Sequence, residues 1–334
     1  MKRALFIGGT GTISSACSAL AVEKGFDLYV LNRGNDPVLP SNANHIISDI
    51  NDEKAVADKL KNMDFDIVAD FITFTPEQAE RSIRLFSGKT QQYIFISSAS
   101  AYQKPLSNAI ITESTPLHNP FWQYSRDKIA CENRLYEEYR NNGFPITIVR
   151  PSHTYSEKKI PVCLHGKNGS YQVIKRILDG KPVIVPGDGT TWWTLTHSTD
   201  FAKGFVGLMG NVHAIGEAFH ITSDESLTWN SIHDIIGGVL GKEVIKTHVS
   251  TDMLCKFEHS WEGGLTGDKS VSVMFDNSKI KRAVPEFCAT TRFDQGAAQT
   301  LEYILSHPEC QTLDPEFDML SDKIISAIHD FAPL

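Results

Sequence analysis

Tyr124 and Lys128 stand four residues apart in the run WQYSRDKIACENRLYEEYR, which is strongly helical in character and ends near Gly143. On a helix that interval sets both side chains on one face, one turn apart. An ammonium close to a phenol stabilises the phenolate and lowers a pKa that is otherwise about 10, so such a pair can work as an acid or base near neutral pH. Taken alone the pattern is common, and a surface tyrosine beside a surface lysine is its ordinary form. Its position raises its value: it follows the apolar run QQYIFISSASAY, which ends in Ser97 and Ser98. A hydroxyl at the carboxyl end of a central parallel strand faces the crevice where such sheets hold ligands.

A second stretch with chemical content is ALFIGGTGTIS, Ala4 to Ser14. It is an apolar run, a turn built on Gly8, Gly9 and Gly11, and then residues able to open a helix. Free backbone amides and the positive end of the helix dipole converge at such a corner and suit a phosphate. Gly8 permits the tight turn, Gly11 lets the backbone approach a pyrophosphate, and Thr12 and Ile13 continue the same cofactor-facing turn. The third small position is Ser14. DLYVLNRG then ends in Asn32 and Arg33, where an acid would accept from a ribose 2′-hydroxyl. A neutral residue followed by a guanidinium suits a 2′-phosphate instead, which favours NADP over NAD. A solvated turn arginine is the alternative reading. In NHIISDI, Asp49 and its neighbour Ile50 are placed to reach the adenine.

The elements that must position these residues alternate. Strands are expected at the N-terminal run, DLYVLNRG, NHIISDI, DIVADFITF, QQYIFISSASAY and ITIVRP, with helices between them, and PEQAERSIRLFSG carries Pro76 in its first turn. That order predicts a parallel, doubly wound α/β sheet. Beyond Pro151 the pattern changes: a Gly- and Lys-containing loop, the helix YQVIKRILDG, the segment PVIVPGDG, then TWWTLTHSTDFAKGFVGLMG, the strand EAFHITS, the helix WNSIHDIIGGVLG and a mostly helical tail from Phe293. No linker or repeat separates the halves. The division expected is 1–152 for a dinucleotide-binding domain and 153–334 for a mainly substrate-binding region whose segments partly return to the sheet.

Composition narrows the partners. Hydrophobic residues make up 41% and charged residues 22%, as in a soluble globular protein. A net charge of −8 with no basic cluster disfavours nucleic acid. The six cysteines form no C-x-x-C pair and read as free thiols. The twelve histidines show no zinc spacing, so no structural metal is expected. The start MKRALFIGG is too short in apolar residues for a signal peptide, and no run reaches membrane-span length, which leaves the cytoplasm as the expected location.

With these motifs in order, the chain resembles the extended short-chain dehydrogenase/reductase superfamily, in particular its NAD(P)-dependent epimerase/dehydratase branch. GGTGTIS resembles the family's glycine turn, Asp49 its adenine-contacting acid, ISSASAY its serine motif, YSRDK its catalytic pair and VRP its Arg-Pro; GDG followed by THSTDFA matches a substrate-side signature. The resemblance implies a Rossmann-type sheet with a smaller, interleaved C-terminal region and an enzyme taking NADP or NAD. Its implied catalytic set is Ser98, counted back from Tyr102, with Tyr124 and Lys128; Lys128 would also bind the nicotinamide ribose, and Pro151 would line the nicotinamide face. A homodimer through the tyrosine-bearing helix is implied by analogy.

Three departures stand out. Ser14 replaces the third glycine. Asp70-Phe71-Ile72-Thr73 replace the usual small residues after the fourth strand, predicting a bulkier and more acidic cofactor wall. Trp192 and Trp193 fall where the sugar-nucleotide enzymes carry an arginine for the substrate diphosphate. Indoles suit a sugar ring better than a phosphate, which points to a small, sugar-like hydroxyl or carbonyl substrate, unless Lys158, Lys159 or Lys167 takes over the phosphate. His153 and His197 fall near the crevice, but a lone histidine is more often a satisfied hydrogen-bonding group. The alternative function is a weakly catalytic nucleotide sensor or an RNA-associated protein that keeps the fold, to which the tryptophans and the NRG turn are similar.

Overall fold

The computed structural model describes residues 1–35 and 38–331. Seven strands form one parallel sheet: β1 (Arg3–Ile7), β2 (Asp27–Asn32), β3 (Asn44–Ile47), β4 (Phe65–Asp70), β5 (Thr90–Ile96), β6 (Ile146–Pro151) and β7 (Ala218–Ile221). They lie in the order β7-β6-β5-β4-β1-β2-β3. The direction of winding reverses between β1 and β4, and a crevice at the carboxyl ends of the strands opens at such a point.

β1 illustrates why the strands are apolar throughout. Ala4 and Phe6 pack on one face against α1 (Ser14–Glu23) and the later helix Ser198–Leu208. Leu5 and Ile7 pack on the other against α2 (Glu53–Leu60), α3 (Pro76–Phe86) and α4 (Gln123–Asn142). A strand covered on both faces needs a continuous hydrophobic run, and each large side chain so buried contributes about 1.5–3 kcal/mol. Ser198–Leu208, here α5, rests on α1, and β7 extends the sheet beside β6, so the second half of the chain returns to the first. A separate core around Tyr155, Trp193, Trp229, Phe293 and Ile324 holds the remaining C-terminal segments. Residues 332–334, the end of the expected helical tail, lie outside the described residues. No helix among the described residues is long and apolar enough to cross a membrane.

Two strands end earlier than their hydrophobicity suggests, because polar groups terminate them. β4 stops at Asp70, whose carboxylate accepts from the Ile72 amide at 3.0 Å, Thr73 Oγ1 at 2.8 Å, Ser82 Oγ at 3.0 Å and Tyr93 Oη at 2.9 Å. The expected acidic cofactor wall is therefore corrected: Asp70 is fully buried and its charge is consumed within the core. Ile72 remains the bulky part of that wall. β5 stops at Ile96, and the serines that follow pass through an extended Ser98 into a short 3₁₀ turn, Ala99–Ala101.

α4 is fixed to the sheet by a buried ion pair. Arg150 on β6 donates to Glu132 through Nε at 2.9 Å and Nη2 at 2.6 Å, and Ser97 Oγ donates to the same carboxylate. Arg150 also donates to Tyr102 Oη at 3.2 Å, which lies 3.1 Å from His220 Nδ1 on β7. Arg150 thus ties β6 to the helix that carries Tyr124 and Lys128.

Candidate active site

The glycine turn is built on two close approaches. Gly8 has φ +86°, and a Cβ there would stand 2.5 Å from Ile72 Cγ2; at Gly9 a Cβ would stand 2.8 Å from Val30 Cγ1. Ser14 does more than replace a small residue. Its Oγ accepts from the Gly11 amide and donates to the Gly8 carbonyl, each at 2.8 Å, which staples the turn shut. Gly11 is exposed, and a Cβ there would have only Ser14 Oγ nearby, at 3.4 Å. No side chain caps the start of α1 at Ile13. In front of the turn runs a cleft of about 520 Å³, bounded by Thr10, Gly11, Thr12, Ser15, Lys158 and Thr199 among others.

The adenosine-side residues are placed as follows. Arg33 is exposed just beyond β2. Asn32 Oδ1 accepts from the Gly34 amide at 2.8 Å and lies 2.7 Å from His45 Nε2, while its buried Nδ2 has no partner among the described residues. Asp49 is exposed and accepts from the Asn51 amide and Nδ2, at 2.9 and 3.0 Å. Ile50 is buried in the core under β1 and β2.

Ser98, Tyr124 and Pro151 come together around a second cavity of about 270 Å³. Ser97, the other hydroxyl at the end of β5, is turned away onto Glu132. Ser125 Oγ donates to Ser100 Oγ at 2.8 Å, and Ser100 Oγ lies 2.9 Å from Ser98 Oγ, where either hydroxyl can donate to the other. Ser98 Oγ also accepts from the Ser100 amide at 3.2 Å. Ser98 thus stands at the cavity with a chain of hydroxyls behind it.

Lys128 is almost fully buried and does not line that cavity. Its ammonium donates to the carbonyls of Thr73 at 2.6 Å and Ile96 at 2.8 Å, where β4 and β5 end, and lies 5.8 Å from the Tyr124 ring centroid. Burial pushes its pKa down to about 8. The expectation that the lysine depresses the phenol is corrected in the chain alone: burial raises the Tyr124 pKa, and the Ser98 hydroxyl draws it back only in part. The lysine's charge is spent first on two backbone dipoles, not on the phenol.

The two tryptophans separate. Trp193 lines the cavity but is buried, stacked on Trp229 at a centroid distance of 5.1 Å, and its only donor goes to His153 Nδ1 at 3.1 Å. His153 is held neutral by burial, which suits it as that acceptor. Trp192 is 45% exposed and takes no part in the cavity lining. Of the three candidate phosphate lysines, Lys158 lines the cofactor-side cleft, Lys159 Nζ lies 3.4 Å from His165 Nε2, and Lys167 lies at the surface near Glu316. His197 Nδ1 lies 2.7 Å from Thr199 Oγ1, and its Nε2 has no partner among the described residues. Sequence reasoning missed Trp122, Asp268 and Lys269, all of which line the cavity. The stretch carrying the last two has no motif, and only its place in the fold brings it to Ser98.

Comparison with known proteins follows the same outline. The family model described as NAD dependent epimerase/dehydratase family matches residues 4–222. The chloroplast stem-loop binding protein of 41 kDa b from Arabidopsis thaliana is 26% identical over 245 residues, 69% of this chain and 61% of that protein. The uncharacterized UDP-glucose epimerase YtcB of Bacillus subtilis is 25% identical over 171 residues, 51% of each. The matches therefore span about half to three fifths of these two relatives. Among solved structures, the epimerase Mth375 of Methanothermobacter thermautotrophicus has a TM-score of 0.75 over 92% of this chain and 93% of that one. At 15% identity that likeness concerns the fold.

Proposed function

Because the chain belongs to the NAD-dependent epimerase/dehydratase family, we propose that it is an NAD(P)-dependent oxidoreductase or epimerase acting on a hydroxyl or carbonyl of a sugar-like small molecule through Ser98, Tyr124 and Lys128. The observation that carries this reading is the meeting of Ser98 and Tyr124 at one cavity.

The residues present fit the dinucleotide that the family implies. The helix after the turn has no side-chain cap, Gly11 is unobstructed, and the buried Asn32 amide nitrogen at the adenosine end has no partner among the described residues. Gly8 and Gly11 to Ile13 would hold the pyrophosphate, with Asn32, Arg33, Asp49 and Ile50 around the adenosine and Pro151 beside the nicotinamide. Arg33 supports a preference for NADP. When bound, the cofactor supplies hydride exchange at the reacting carbon.

The protein's part is to manage the proton and the oxygen. Tyr124 gives a proton to the substrate oxygen or takes one from it, a role worth about 10²–10⁴ in rate. Ser98 donates to the same oxygen and stabilises charge as it develops. Lys128 supplies a fixed positive charge behind the phenol and the lysine contact to the nicotinamide ribose that the family resemblance implies. Dehydration is disfavoured, because Ala99 and Ser100 stand where dehydratases of this branch carry acids beside the Ser/Thr. Trp193 in place of a diphosphate-gripping arginine favours a substrate less charged than a nucleotide sugar, unlike the UDP-glucose named for the Bacillus relative. The stem-loop partner named for the Arabidopsis relative is disfavoured here by the net charge of −8.

The test is mass-spectrometric identification of any dinucleotide carried by the purified protein, followed by its redox response to candidate sugars. A bound nicotinamide dinucleotide whose redox state changes with an unphosphorylated sugar supports the reading. A protein that binds neither NAD(H) nor NADP(H) contradicts it.

A further inference from the structure

Asp268 and Lys269 enter the cavity from a segment far from Ser98 in sequence, the five-residue π-helical turn Leu265–Lys269. That turn is held on both sides of Asp268. Asn119 Nδ2 donates to the Gly267 carbonyl at 2.7 Å, and Trp229 Nε1 donates to the Lys269 carbonyl at 3.2 Å; both side chains are buried. Trp122 packs closely underneath, since a Cβ at Gly263 would stand 2.3 Å from its Cδ1 and one at Gly267 2.9 Å from its Cβ. The carboxylate of Asp268 is thus presented on a rigid support, as a binding group must be.

What that carboxylate lacks is a donor. No protein hydrogen bond reaches it among the described residues, and the nearest cation, Lys269 Nζ, stands 4.0 Å away, beyond hydrogen-bond range. Both side chains are less than one-fifth exposed, and both line the cavity. Enclosed carboxylates are normally satisfied by donors. Burial raises the Asp268 pKa, partly opposed by the charges of Lys269 and Lys104, as expected of a carboxyl short of hydrogen bonds.

We propose that Asp268 and Lys269 are the substrate-reading pair of this cavity, the carboxylate accepting from one substrate hydroxyl and the ammonium donating to its neighbour, so that the site takes an uncharged ring bearing a vicinal diol. The inference rests on the reading of the cavity as the reaction site. Charge decides between ligand classes. An ammonium ligand would meet Lys269 in the cavity and the buried Lys104 near Asp268, whose ammonium has no hydrogen-bond partner among the described residues. A phosphate would have to share about 270 Å³ with the Asp268 carboxylate. A diol satisfies both members of the pair and brings no charge. Trp193 and Phe275 supply apolar surface for the ring.

The experiment uses the purified full-length protein with NADP(H) or NAD(H) and a panel of neutral aldoses and cyclitols, each beside its singly deoxygenated analogues, its phosphate ester, its amino analogue and its UDP derivative where one exists. Wild type is expected to bind and turn over a neutral member and to discriminate against one deoxy analogue. Asp268→Asn should raise KM for the parent sugar by about 10- to 100-fold, the range of a hydrogen bond to a charged group. It should change kcat by only a few-fold and erase the discrimination against that deoxy analogue. Lys269→Met, scored in the same way, guards against a failure of Asp268→Asn to fold. Folded variants with unchanged KM and unchanged deoxy discrimination would overturn the proposal, as would saturable binding confined to phosphates, amines or UDP-sugars. Tyr124→Phe separates the two readings. If it keeps full turnover while Asp268→Asn loses affinity, the assigned chemistry fails and the diol site stands.

Discussion

Lys128 and Tyr124 share one face of α4, yet the Lys128 ammonium lies 5.8 Å from the Tyr124 ring centroid and is bonded to the carbonyls of Thr73 and Ile96. The lysine therefore joins the ends of β4 and β5 to the helix that carries the phenol. It also brings a buried charge to the carboxyl ends of those two strands.

That charge has a measurable cost. The folded pKa of Lys128 is about 8, below the ordinary value of 10.5. Below pH 8 the lysine is charged in both folded and unfolded chains, so the folded state bears the full cost. Between about pH 8 and 10.5 the unfolded chain binds more protons, and stability from this group rises with pH. The total rise is about 3 kcal/mol. Denaturant unfolding of wild type and Lys128→Met across that range should show the wild type gaining on the variant by this order. Parallel stability curves would exclude the burial cost.

A chain of hydroxyls, Ser125 to Ser100 to Ser98, runs behind the cavity. If that chain orients the Ser98 proton, Ser125→Ala, which removes the donor to Ser100, disturbs it. Turnover is expected to fall by roughly tenfold with little change in KM, and Ser125→Thr should restore most of it. Ser98→Ala, which removes the donor itself, should cost about 10²-fold or more in kcat. Equal activity in Ser125→Ala and wild type would show that the hydroxyl chain does not orient Ser98.

Cofactor choice is assigned to an exposed side chain, which makes it simple to test. If Arg33 meets a 2′-phosphate, NADP(H) should bind at least about tenfold more tightly than NAD(H), and Arg33→Asp should reverse the order. Titration calorimetry with both cofactors measures this directly. Equal affinities in the wild type would return Arg33 to a solvated turn.

Much of this architecture is readable from the chain because its signals are local. The glycine turn needs Gly8 at positive φ, a requirement written in the turn itself, and Gly9 against Val30 on the next strand of the same βαβ unit. The same holds for Tyr124 and Lys128, whose spacing fixes their shared helix face. What sequence reasoning misjudged depends on where side chains turn. Asp70 looked like part of a cofactor wall but is drawn inward by Thr73, Ser82 and Tyr93. Trp192 and Trp193 are adjacent, yet their side chains diverge, one to solvent and one into the stack on Trp229. Asp268 and Lys269 gave no local signal, since a charged pair in a Gly-rich loop resembles any solvated turn until the fold encloses it.

If Tyr124 moves the proton at the substrate oxygen, a single substitution shows it. Single-turnover hydride transfer measured for wild type and Tyr124→Phe, alongside cofactor affinity and thermal stability, isolates the phenol's oxygen from its ring. The chemical rate is expected to fall by about 10²–10⁴-fold with cofactor affinity and folding nearly unchanged. A Tyr124→Phe protein that transfers hydride at the wild-type rate would contradict it.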